Sequence, residues 1–153
     1  MTYPNIFEEQ NVTDYISRIN QLTPSTQPQW GKMNVAQMLA HNSIAFDINY
    51  GVIPVSYNPI SRFMVKLFAK STVVGDKPYG KNGRTAPVFI ISDERDFAAE
   101  KTKLIDYLQR IQQEGAAAYE GKVSPAFGKL SSQEWSTMYS KHLDHHLTQF
   151  GVQ

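Results

Sequence analysis

One stretch near the C-terminus constrains the fold more than any other: Ser131-Ser132-Gln133-Glu134-Trp135, running through Lys141-His142-Leu143-Asp144-His145-His146 to Gln149-Phe150-Gly151. Ser131 followed three residues later by Glu134 has the form of a capping box, in which hydroxyl and carboxylate each satisfy an orphan backbone N–H, and Gly151 supplies a permissive stop. These signals bound a helix of about five turns. At about 100° per residue, Trp135, Met138, Tyr139, His142, His146 and Gln149 share one stripe. A stripe that should be apolar therefore carries two imidazoles one turn apart. A lone histidine on a helix face is more often a hydrogen-bonded core residue than a ligand. Two at this spacing each bring a donor and an acceptor that need partners away from water, and both rings can converge on one divalent ion at about 2.0–2.1 Å. His145 lies about a quarter turn off the stripe. It is expected to look along the flank while His146 looks inward with His142, the i,i+3 pair of His142 and His145 being the competing geometry.

With 153 residues and no linker or charge block, the chain is expected to form one domain, residues 1–153. A formal charge of +1 offers no global field for nucleic acid, so a small molecule is the expected partner. Cysteine is absent, which removes disulfides, thiolate nucleophiles and thiolate metal sites. Any metal must rest on histidine and carboxylate. The N-terminus has no leader and no stretch can span a bilayer, so a cytoplasmic protein with no membrane partner is expected.

In chain order, Val12, Tyr15, Ile16, Ile19 and Leu22 predict a first helix, ended by Thr23-Pro24-Ser25 and Pro28. Asn34, three residues before Gln37, predicts a second capping box, and Val35, Met38, Leu39, Ala45 and Phe46 a second helix ending near Tyr50-Gly51, with His41 facing inward. Asn58-Pro59 predicts the start of a third helix, whose apolar face is Ile60, Phe63, Met64, Leu67 and Phe68 and whose other face is basic. Thr85 to Ile91 reads as extended, and Ser92-Asp93 as the cap of a helix carrying Phe97, Leu104, Ile105, Leu108 and Ile111. Ala116 to Leu130 reads as a loop into the histidine helix.

Gly75 to Asn82 nearly matches a P-loop but fails it. Asn82 stands where Mg²⁺ needs a hydroxyl, Pro78 removes a backbone N–H, and no apolar helix follows. A Ser-His-Asp triad is unsupported, because Asp144 lies on the opposite side of the helix from His146 and no G-x-S-x-G elbow exists. Arg62, Lys66, Lys70, Lys77, Lys81 and Arg84 face only Asp76 in sequence. They form either a solvated surface or a rim for an anionic substrate.

His41 on the second helix and His142-x-x-x-His146 on the last, together with Trp30-Gly31-Lys32-Met33, Gln37-Met38-Leu39-Ala40-His41, Pro125 to Leu130 and Glu134-Trp135, give a pattern that resembles the DinB-like (YfiT-like) superfamily of metalloenzymes, in a functionally uncharacterised branch. The resemblance spans most of the chain. It implies an all-α, up-down-down-up four-helix bundle with an additional short helix or irregular connection, often a homodimer. It also implies that His41, His142 and His146 hold Zn²⁺, Ni²⁺ or a similar ion. Relatives include transferases and isomerases that use a low-molecular-weight thiol. The function this implies is a divalent-metal-dependent enzyme on a small molecule, a thiol-dependent transferase or a hydrolase, working through a metal-bound water or thiol. The alternative is a non-catalytic dimeric bundle whose histidines are structural or bind metal without turnover. Gln149, further along the stripe of His142, is expected either to orient a ligand or support the metal ligands from behind, or to end the bundle as an ordinary polar residue, and Trp30, Trp135 and Tyr139 either wall a pocket or pack the core.

Overall fold

The computed structural model describes residues 2–153. Its helices are α1 (Glu9–Asn20), α2 (Val35–Asn49), α3 (Pro59–Val74), α4 (Phe97–Glu114) and α5 (Ser132–Gln149), with a two-residue antiparallel hairpin of β1 (Val123–Ser124) and β2 (Gly128–Lys129). The protein is therefore mostly helical. Both predicted capping boxes are present, Asn34 with Gln37 and Ser131 with Glu134, and the Asn58 side chain accepts from the Ser61 N–H at the start of α3.

The core is organised around α2, which packs on α4 and α5 and buries eleven of its fifteen residues. A helix covered on nearly every side must satisfy its polar groups internally, or each costs about 1–3 kcal/mol. Asn42 donates to the Met38 carbonyl, Ser43 to the Leu39 carbonyl, and Asp47 accepts from Lys103 of α4 at 2.8 Å and from the Tyr107 hydroxyl at 2.5 Å. Helix α5 is buried on two faces. One carries the predicted stripe; the other, Ser136, Ser140, Leu143 and Leu147, receives the N-terminal segment, with the Ile6 N–H donating to Ser136 Oγ and Ser140 Oγ to the Pro4 carbonyl. Trp135 and Tyr139 are core residues: Tyr139 stacks on Phe46 and on Trp135, and Tyr119 stands edge-on to Trp135.

Four expectations need correction. Thr85 to Ile91 is not a strand: Pro87, which lacks an N–H and favours a turn, opens a 3-10 turn over Pro87–Phe89. The cap of α4 is Asp96, accepting from the Ala99 N–H at 2.7 Å, while Asp93 pairs with Arg95. The Ala116–Leu130 loop contains a 3-10 turn and the β1–β2 hairpin. Most consequentially, α3 faces the other way: Val65, Ala69 and Val73 are its packed residues, and Ile60, Phe63, Met64, Leu67 and Phe68 are all exposed.

Candidate metal centre

Helices α2 and α5 bring His41, His142 and His146 together, with ring centroids 4.5–4.8 Å apart in a near-equilateral triangle. One nitrogen from each lies within 4.8 Å of the others, close enough to hold a metal ion. His41 and His146 are buried and His142 is mostly so. His145 is not in the triangle. Its ring stands edge-on to Trp30 and Tyr79, along the flank of α5.

Hydrogen bonds outside the triangle decide which nitrogens face into it. The Phe89 carbonyl can only accept, so the His41 contact at 2.7 Å puts the proton on Nδ1 and leaves a lone pair on Nε2. Gln149 Nε2 donates to the Trp30 carbonyl at 2.7 Å, which turns Gln149 Oε1 towards His146 Nδ1, also at 2.7 Å. His146 is thereby held as the same tautomer. His142 Nε2 sits 2.9 Å from His41 Nε2 and, without an ion, donates to it. Two nitrogens each about 2.0–2.1 Å from one ion lie about 2.9 Å apart at a right angle and about 3.3 Å apart at a tetrahedral one. The His41–His142 pair already has this spacing; His146 has to close the third edge.

Burial pushes all three imidazoles towards the neutral form that a ligand requires. His41 is lowered chiefly by burial, against the opposing Phe89 hydrogen bond. His142 is lowered well below the usual range by burial and by the charges of His146 and His41. His146 is lowered to about 3, by burial first and the His41 charge second.

The Trp30-Gly31 step is built around this support. The Gln29 N–H donates to the Gln149 carbonyl, ending α5, and Gly31 has φ +85°. A Cβ at Gly31 would lie 2.5 Å from Gln149 Nε2, so a larger residue would displace the amide that orients His146. Lys81 Nζ stands 4.4 Å over the Trp30 ring.

Sequence reasoning missed two components. The Phe89 carbonyl carries no side-chain signature, so nothing in the residue pattern could identify it. Lys141 is almost fully buried, and its ammonium donates to the carbonyls of Thr72, Gly75 and Lys77 at 2.5–2.8 Å, tying the end of α3 and the following loop to α5. Its position beside His142 on an otherwise occupied helix was the available signal. Asp144 pairs with Arg18 at 3.0 Å and takes no part in a triad.

A family model described as "Protein of unknown function (DUF1569)" matches residues 5–152. The chain belongs to the DUF1569 family. No curated protein matches it, and no solved structure does. The three histidines of this DUF1569 chain, on α2 and α5, all lie within the matched span.

Proposed function

We propose that this DUF1569 protein is a DinB-like, divalent-metal-dependent enzyme acting on a small molecule, with His41, His142 and His146 as ligands. The observation that carries this reading is the outer hydrogen-bond set: Phe89 and Gln149 fix two Nδ1–H groups and so aim two Nε2 lone pairs at one point. Histidine ligands are held by such outer acceptors in metal sites generally. Three nitrogen donors without thiolate suit Zn²⁺ or Ni²⁺ and leave coordination positions open. A bound ion would supply Lewis acidity and lower the pKa of a water or thiol on it. A thiol-dependent transfer and a hydrolysis are both served by that chemistry.

Around the ion, the chain's residues orient and exclude. Phe89 sets its ring edge against His41 and His142 and shields them from water. Lys81, held over Trp30, lies on the flank from which an anionic substrate group would be attracted. Its competitor is the purely structural reading, supported by the 2.9 Å contact through which His41 and His142 satisfy each other without an ion.

Elemental analysis of protein purified without a histidine tag, followed by titration with Zn²⁺ and Ni²⁺, separates the two. About one ion per chain is expected. No metal and no uptake would leave the histidines as a hydrogen-bonded core.

A further inference from the structure

Residues 80–87 run between two anchored carbonyls, that of Lys77 on the Lys141 ammonium and that of Phe89 on His41, and all of them are exposed. Lys81 and Asn82 form a turn in which Asn82 takes φ +55°, in the left-handed region that asparagine tolerates better than most residues. Among the described residues, no backbone N–H from Asp76 to Ala86 bonds to another element. Gly83 follows Asn82, so the peptide nitrogen next to this side chain has no Cβ beside it and no partner outside the turn. Of the eight asparagines, Asn82 alone has this setting. After Asn5, Asn11, Asn20 and Asn49 the next N–H is taken, by Ser136 Oγ and by the carbonyls of Glu8, Arg18 and Phe46. Asn42 is buried inside α2, Asn34 is held by its bond from the Gln37 N–H, and Asn58 precedes a proline, which has no N–H.

We propose that Asn82 is a site of spontaneous deamidation, a covalent change that the chain makes on itself with solvent water. The Gly83 nitrogen gives its proton to water and attacks Asn82 Cγ. The new C–N bond closes a five-membered succinimide ring, the bond to the side-chain amide nitrogen breaks, and that nitrogen takes a proton from water and leaves as ammonia. Water then adds to either ring carbonyl and reopens the ring, to aspartate or to isoaspartate. No oxidant or reductant takes part. The change has a local target. The Cβ position of Gly31 lies 3.9 Å from Asn82 Oδ1 and 2.5 Å from Gln149 Nε2, so the new carboxylate arises beside the Trp30–Gly31 step. It is also next in sequence to Lys81, whose ammonium is held over Trp30. The carboxylate offsets that cation and takes the formal charge of the chain from +1 to zero.

The test incubates the full chain in warm, mildly alkaline buffer and follows it by isoelectric focusing and peptide mass spectrometry, with isoaspartate marked by a protein isoaspartyl methyltransferase. An acidic species should accumulate with time, and aspartate and isoaspartate should map to residue 82. Gly83→Ala should slow the reaction severalfold. Gly83 has no positive φ and an added Cβ stands 3.4 Å from the Gly80 carbonyl oxygen, so alanine fits the turn while its methyl group hinders the attacking nitrogen. Asn82→Gln should abolish the reaction, because the longer side chain must close a six-membered ring and does so far more slowly. An unchanged circular dichroism spectrum shows that the folded chain is what reacts. An acidic species that persists in Asn82→Gln, modification that maps to another asparagine, or a folded chain that stays unmodified while the urea-unfolded chain reacts would each overturn the proposal.

Discussion

Helices α3 and α5 have similar lengths, caps and amphipathic spacing, yet one turns its polar intrusions inward and the other its hydrophobes outward. In α5 the basic intrusions on the buried faces have built partners, Gln149 for His146, His41 for His142 and three carbonyls for Lys141, while the Tyr139 hydroxyl has none. In α3 the large apolar residues have none. Periodicity shows that a helix has two unlike faces. What covers each face depends on the rest of the chain.

The largest effect expected from breaking the α5 pattern is on stability. Lys141→Met keeps the buried stem but leaves three carbonyls without their cation, at a cost of about 3–5 kcal/mol. Urea denaturation measures it; a cost below about 1 kcal/mol would mean that water replaces the ammonium and that α3 is not anchored through Lys141.

Next come the ligands. His41→Ala or His142→Ala should weaken Zn²⁺ or Ni²⁺ binding at least about 100-fold in a competition titration, since loss of a ligand should match or exceed the loss of an outer partner. His146→Ala should cost at least tenfold and His145→Ala no more than a few-fold, because His145 faces Trp30 and Tyr79. The reverse ranking would place the ion on the His142–His145 pair.

Gln149→Leu and Gly31→Ala probe the support of His146. The first removes the acceptor and the second drives a Cβ against Gln149 Nε2, with added strain at positive φ. Each should lower metal affinity about 10–100-fold with the three ligands intact. An unchanged affinity in both would show that His146 orients itself.

These residues also mark how far the sequence could be read. Caps are local, so Asn34, Asn58 and Ser131 announced three helices from neighbouring residues alone. The inward aim of His142 and His146 followed from spacing. The partner of His41 did not, because the Phe89 carbonyl belongs to a 3-10 turn whose place is set by tertiary packing. The outward face of α3 was misread for a related reason: Val65, Ala69 and Val73 make a small-residue face suited to close approach, and hydrophobicity ranks it below Phe63 and Leu67.

pH dependence follows from the buried imidazoles of the metal-free protein. Their folded pKa values are lowered, His146 to about 3, whereas in the unfolded chain they titrate near 6.5. Between those values the unfolded state binds more protons, so stability is greatest above about pH 7 and falls as pH drops through 6.5. One such group contributes about 1.4 kcal/mol per pH unit, or roughly 3–5 °C in Tm for a domain of this size. Thermal melts in chelator should show this slope, and His146→Gln should flatten it. A slope just below pH 6.5 unchanged in that variant would assign it to His41 and His142, since the lowered carboxyls of Glu114 and Glu134 act only below their ordinary value near 4.5.

The smallest effect is the most direct comparison of the two helices, because one substitution is made in each. Leu143 is 1% exposed on α5 and Leu67 is 58% exposed on α3. Leu143→Ala removes buried methyl groups and leaves a cavity, costing about 2–5 kcal/mol. Leu67→Ala removes groups already in water, and its cost should stay within about 0.5 kcal/mol. For a monomer the difference is also independent of protein concentration, because its unfolding contains no association step. A cost at Leu67 above about 2 kcal/mol that grows with concentration would show that a second copy covers the face of α3 in solution. The contrast with α5 would then belong to the single chain and not to the assembled protein.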